Sequence, residues 1–189
     1  MSDSLRAVVL LWALGVAGCE QLEQLDRADG NKGGAEALVK RQRSVLALGE
    51  RAPNDIEIRV VGAADQPVSR GSAAFTRLAG CADCPFVFKD EERNASDRRM
   101  TPRLRQKLVE LSKHVRQTWP KVELRVTEAW DDRREHGQDS LHYEGRAADI
   151  TTTDQDPKKL GRLAGLAVQA GFDWVYYEDA THVHVSVKR

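Results

Sequence analysis

The sequence predicts a domain that mixes α-helices with β-strands, and three observations lead there. Apolar residues recur at helical spacing between Thr101 and Pro120, and again between Asp156 and Gly171. Around these stretches they alternate with a period of two, the pattern of half-buried strands. The last two alternating segments flank a short polar turn, which makes them an antiparallel hairpin. A chain of 189 residues has room for one domain plus appendages. Its 41% hydrophobic and 31% charged content is that of a globular protein. The formal net charge of zero argues against a nucleic-acid binder, which would carry a basic face.

The N-terminus reads as a targeting segment. Ala7 to Gly18 is an apolar run of signal-peptide length after Arg6, too short to span a bilayer. Its end, Val16-Ala17-Gly18-Cys19, resembles the lipobox of bacterial lipoproteins. Residues 1–18 are therefore expected to be a signal peptide and Cys19 the lipidated residue, holding the protein at a membrane surface. Glu20 resembles the residue that sorts lipoproteins to an outer membrane, so the expected location is its periplasmic face or the cell surface. Residues 19–53 read as a polar tether, and 54–189 as the folded domain.

Within that domain, Ile56, Ile58 and Val60 alternate as a strand. Cys81-Ala-Asp-Cys84 is an even pair once Cys19 is assigned to the anchor. In an exported protein it favours a small structural disulfide over thioredoxin-like redox chemistry, because Pro85 rather than a helix follows it. Thr101-Pro102 starts a helix whose stripe is Leu104, Leu108, Leu111, Val115 and Trp119, and Pro120 stops it. Val122, Leu124 and Val126 alternate into Glu128. A second helix begins near Asp156-Pro157, carries Leu160, Leu163, Ala164 and Ala167, and ends at Gly171. Phe172 to Glu178 and His182 to Val187 complete the hairpin, with His182 and His184 on one face and the valines on the other.

Two clusters carry chemistry. Ser140-Leu-His-Tyr-Glu-Gly-Arg-Ala-Ala-Asp149 and Glu178-Asp-Ala-Thr-His-Val-His184 together supply imidazoles and carboxylates in the numbers of a zinc site with an open position. The candidate ligands are His142, Asp149 and one histidine of the 182/184 pair, with Glu178 as general base. The helix-borne His-Glu-x-x-His pattern is absent. The second cluster is acidic: Glu91, Glu92, Asp97, Glu128 and Asp131 with Asp132. Such oxygens suit calcium, but by residue chemistry alone a solvated acidic surface is the simpler reading.

From about Phe88 to Lys188 the chain resembles the N-terminal signalling domain of Hedgehog proteins. The resemblance rests on Phe88-Lys-Asp-Glu-Glu92, Leu124-Arg-Val-Thr-Glu128, Ser140-Leu-His-Tyr-Glu-Gly-Arg-Ala147, Asp149-Ile-Thr-Thr152 and Ala170-Gly-Phe-Asp-Trp-Val-Tyr-Tyr-Glu178. It implies that His142, Asp149 and His184 hold zinc, with Glu178 at the catalytic-like glutamate and His136 and His182 beside the metal. It implies calcium on Glu91, Glu92, Asp97, Glu128 and Asp131. Arg133 stands where the family has a sixth carboxylate, so one calcium ion is expected and a second would need Asp132. No self-splicing domain is expected after Arg189. The Ser-x-His-x-x-Gly-x-Ala-x-Asp pattern, Ser140 to Asp149, is shared with a zinc peptidase clan that includes D-Ala-D-Ala carboxypeptidases. That clan implies a mixed α+β fold with an antiparallel sheet holding zinc.

These readings lead to an exported zinc peptidase-like domain with a calcium site, acting on peptidoglycan or another cell-envelope peptide. Glu178 would be its base, and His182 or His136 would stabilise an oxyanion or orient a ligand. The rival is a binding module of the Hedgehog type, stabilised by calcium and zinc and without turnover.

Overall fold

The computed structural model describes residues 44–89, 93–133 and 135–189. Cys19, the signal peptide, most of the expected tether, Glu91 and Glu92 lie outside them. The elements with most contact to one another are the long helix α3 (Pro102–Thr118), the second helix α4 (Leu160–Ala170) and a central sheet. Among the described residues no helix is long and apolar enough to cross a membrane.

Helix α3 starts where Thr101 Oγ1 accepts the Leu104 amide, with Pro102 at its first position. Its stripe of Leu104, Leu108, Leu111 and Val115 is fully buried. Burying each such side chain contributes roughly 1.5–3 kcal/mol. Helix α4 follows a short 3-10 turn, Pro157–Lys159, that Asp156 caps, and it ends at Gly171 with φ +80°. Both helices lie on the face of the sheet lined by Val126, Ala148, Ile150, Val175, Val183 and Val185. The period-two alternation then forces Asp149, Thr151 and His184 onto the opposite face.

The strands of that sheet are β1 (Arg51–Ala52), β3 (Val87–Phe88), β5 (Leu124–Glu128), β6 (Ala147–Thr152), β7 (Trp174–Tyr176) and β8 (Val183–Ser186). Their spatial order is β1-β7-β8-β6-β5-β3. All neighbours run antiparallel except β3 and β5, so the expected antiparallel sheet is mixed at that edge. A separate two-stranded ladder pairs β2 (Ala79–Gly80) with β4 (Arg99–Met100). Beside it, a disulfide joins Cys81 to Cys84.

Two expectations for the N-terminal part need correction. The fold starts before residue 54: Leu46 is buried, its amide donates to the Gly161 carbonyl, and Arg51–Ala52 is the edge strand. The close approach of residues 44–46 needs glycine on α4, since a Cβ at Gly165 would sit 2.0 Å from the Ser44 carbonyl oxygen. The expected strand at residues 56–61 is instead a short helix, α1 (Glu57–Val61). Ile56 and Ile58 are exposed, and the inward positions are Glu57 and Val61, four apart as on one face of a helix. The alternation of 56, 58 and 60 concealed that spacing. A second short helix, α2 (Ala73–Arg77), is capped by Ser72.

Candidate metal centre

The site lies on the sheet face away from α3 and α4. His142 sits on a 3-10 turn, Leu141–Glu144, opened by Ser140, whose hydroxyl accepts the His142 amide. Gly145 closes that turn with φ +65°, and a Cβ there would lie 3.1 Å from Leu78 Cδ2 and 3.3 Å from Met100 Cα. Glycine is therefore needed twice over, for conformation and for space. Ala147 then enters β6, and two residues on Asp149 faces the site. Each fixed position of the Ser-x-His-x-x-Gly-x-Ala-x-Asp pattern has a local task.

Strand pairing brings the third donor in. Asp149 is the Cα partner of His184 on β8, and a bulge after Val126 makes Glu128 the partner of Asp149 on the other side. His142 Nε2, Asp149 Oδ1 and His184 Nδ1 form a triangle. Its sides are 3.5 Å from His142 to Asp149, 3.0 Å from Asp149 to His184 and 3.3 Å from His184 to His142. Two bonds of about 2.0–2.1 Å at a tetrahedral angle hold their donor atoms about 3.3–3.4 Å apart, as around zinc. The donor set and its spacing fit such an ion.

The remaining imidazole nitrogens are fixed by outer partners. His142 Nδ1 donates to the Ala129 carbonyl at 2.8 Å, leaving Nε2 for the site. His184 Nε2 donates to Glu57 Oε1 at 2.9 Å, leaving Nδ1. Glu57 is a residue that sequence reasoning missed. It arrives on α1, which is held over the sheet by β1 pairing with β7 and by Trp174 Nε1 donating to the Asp55 carbonyl. The buried Arg146 guanidinium adds bonds to the carbonyls of Val61 and Ala63, with Glu144 as its counter-ion.

The electrostatics are tightly coupled. Burial works against the Asp149 charge, but His142, His136 and His184 outweigh it and hold the carboxyl well below its usual range. Burial likewise opposes a charged His184, yet Asp149 and Glu57 push it up to about 10. His136 is raised to about 9, first by Asp149, then against burial by Asp131 and Glu128. Its ring stacks on His142 with centroids 4.2 Å apart.

Glu178 and His182 stand at the mouth of the cleft, 3.4 Å apart, and form one group with Asp149. The cleft encloses about 710 Å³, with Trp174 and Tyr176 on one wall. Of the acidic residues, Glu128 and Asp131 converge on His136, while Asp97 is buried and accepts the Ala129 amide. Asp131 also accepts the amides of Arg133 and Glu135. Asp132 is drawn into a two-pronged pair with Arg70, at 2.6 and 2.8 Å.

A family profile described as the Hedgehog amino-terminal signalling domain matches residues 29–186. Indian hedgehog protein of Gallus gallus is 46% identical over 158 residues, covering 82% of this chain and 38% of that protein. Sonic hedgehog protein of Danio rerio is 48% identical over 146 residues, 76% of this chain and 35% of that one. Protein hedgehog of Drosophila hydei is 45% identical over 153 residues, 79% and 32% respectively. The chain thus spans about a third to two-fifths of the length of the curated relatives it matches. The chain belongs to the Hedgehog amino-terminal signalling domain family.

Proposed function

We propose that this domain is an exported recognition module of the Hedgehog type, organised by zinc and calcium and tethered to a membrane through lipid on Cys19. The observation that carries the zinc assignment is the triangle of His142 Nε2, Asp149 Oδ1 and His184 Nδ1 at the floor of an open cleft. Zinc held there supplies a Lewis-acidic position open to the cleft. The printed names of the relatives, all hedgehog proteins, and the signalling description of the family favour recognition of a protein or peptide partner over turnover. In this reading the chain's own groups grip a ligand. Trp174 and Tyr176 give apolar surface, Glu178 accepts hydrogen bonds, and His136 donates them. Glu128 and Asp131, with Glu91, Glu92 and Asp97, hold calcium and set the position of His136.

A peptidase reading has one observation in its favour, the grouping of Glu178 and His182 with Asp149 at the cleft mouth. There Glu178 would take a proton from a nucleophilic water and pass it to the leaving amine, while His182 or His136 steadied the oxyanion. Zinc-loaded protein incubated with peptidoglycan fragments separates the two. Recognition predicts no new amine ends in either the wild type or Glu178→Ala. Cleavage by the wild type, falling ~10²–10⁴-fold in Glu178→Ala, would replace the module with an enzyme.

A further inference from the structure

The turn that carries His142 also helps to build a second cavity. Because Gly145 has no Cβ, Leu78 after α2 and Thr101 before α3 close on it, and the Thr101 amide donates to the Gly145 carbonyl at 2.8 Å. Leu78 and Thr101, with Val68 and Ala74, line a cavity of about 640 Å³ that shares no lining residue with the metal cleft. Its charge is also opposite. Among the described residues the metal cleft has carboxylates and no lysine or arginine in its walls. The second cavity sets three guanidiniums, Arg77, Arg146 and Arg189, against the carboxylates of Asp65 and Glu144.

The partners of these groups decide which of them is left for a ligand. Arg146 is buried and commits its N–H groups to Glu144 and to the carbonyls of Val61, Gly62, Ala63 and Val187. Glu144 is thereby neutralised, at 2.6 Å. Arg189 reaches Glu144 and the Ala63 carbonyl through one nitrogen, Nη2, at 3.2 Å each, and its side chain is 57% exposed. Arg77 is exposed at the end of α2 and takes part in no hydrogen bond or ion pair among the described residues. The surplus positive charge is thus Arg77 and the outer edge of Arg189, and the positive end of the α3 dipole adds to it. Guanidiniums at a cavity without carboxylates of their own are suited to an anion from outside.

We propose that this cavity binds a phosphate ester, with Arg77 and Arg189 holding the phosphate and Val68, Ala74 and Leu78 packing against its organic group. The inference goes beyond the metal-centre reading and does not depend on it. Three features favour a phosphate ester. The two guanidiniums come from separate elements, α2 and the segment after β8. A phosphate presents its oxygens in tetrahedral directions and can take a fork from each, whereas one fork already fills a planar carboxylate. The volume lies within the roughly 300–1,000 Å³ of small-molecule sites and exceeds what a bare ion needs. Asp65 and Glu144 in the wall repel a densely charged polymer but leave room for one compact anion. A phospholipid headgroup and a soluble glycerol or sugar phosphate share this chemistry.

The test titrates the full chain with four probes, followed by nuclear magnetic resonance of backbone and arginine side-chain N–H groups. Two are phosphate esters: glycerol 3-phosphate, and dihexanoyl phosphatidylglycerol kept below its micelle-forming concentration. The other two are inorganic phosphate and butyrate. At least one ester is expected to bind saturably and about 10-fold tighter than either inorganic phosphate or butyrate. Binding of glycerol 3-phosphate alone assigns the site to a soluble ester, of the lipid alone to a headgroup, and of both to their shared group. Arg77→Gln and Arg189→Gln are each expected to weaken the ester about 10-fold. Arg77 has no partner to lose, so the urea midpoint of Arg77→Gln should match that of the wild type. Undetectable binding of both esters, an affinity that survives Arg77→Gln, or inorganic phosphate or butyrate binding as tightly as the ester overturns the proposal. So do shifts confined to His142 and His184, which would put the ester in the metal cleft. The titration is run with and without zinc, so loss of the metal centre and loss of this site are read separately.

Discussion

Glu57 and His184 lie 127 residues apart in sequence and are joined by a 2.9 Å hydrogen bond from His184 Nε2 to Glu57 Oε1. The bond fixes which imidazole nitrogen faces the site, and it ties the N-terminal helix α1 to the triangle of His142, Asp149 and His184. Outer partners of this kind typically change metal affinity 10–100-fold when removed. Glu57→Ala is therefore expected to weaken zinc binding by about that factor, while Glu57→Gln, which keeps an acceptor oxygen, loses less. Competition with a chelator of known affinity measures both. Equal affinity in wild type and Glu57→Ala would show that α1 does not orient His184.

The raised pKa values give a pH signature to the metal-free protein. Groups raised in the folded state, His184 to about 10 and His136 to about 9, contribute stability that is full below their unfolded value of about 6.5. That contribution is lost as pH rises through about 9–10. Asp149, whose carboxyl is lowered, contributes above its unfolded value and loses this as pH falls through its folded one. Denaturant midpoints of metal-free protein should thus decline on the alkaline side of pH 9. Zinc competes with the His184 proton, so binding near neutral pH should release protons and tighten as pH rises. Calorimetry in buffers of different ionisation enthalpy reads that release, and a buffer-independent heat would contradict it.

Much of the helical framework was legible in the sequence. Thr101 and Pro120 bracket α3, Gly171 ends α4, and the valines of β8 define the buried face. That the candidate residues come together was legible where one local segment carries them, as from Ser140 to Asp149, whereas the strand period left His182 and His184 as alternatives. Glu57 was not legible. Its helix is five residues long, too short for periodicity to distinguish from a strand, and its position depends on tertiary contacts through Trp174 and Arg146. The parallel pairing of β3 was equally hidden, since two-residue strands have no pattern of their own.

Gly145 provides a test of how the motif is built. Gly145→Ala forces a left-handed residue against Leu78 and Met100, with an expected loss of about 1–3 kcal/mol. Urea unfolding measures this, and an unchanged midpoint would mean that the turn carrying His142 tolerates a Cβ.

The acidic cluster predicts one calcium ion. Glu128 and Asp131 stand together at His136, and Asp132 is engaged by Arg70. Calcium at 100 times its Kd should stabilise the fold by about 2.7 kcal/mol. Titration calorimetry should give a stoichiometry of one, rising toward two in Arg133→Asp. Two ions bound by the wild type would show that Asp132 leaves Arg70 to act as a ligand.

The zinc coordination itself is tested most directly by X-ray absorption at the zinc edge of protein loaded with one equivalent. The triangle of His142, Asp149 and His184 predicts four nitrogen or oxygen neighbours at about 2.0–2.1 Å, two of them imidazoles, with one imidazole lost in His142→Ala. Six-coordinate zinc, an absence of imidazole scattering, or a spectrum unchanged by His142→Ala would contradict the account.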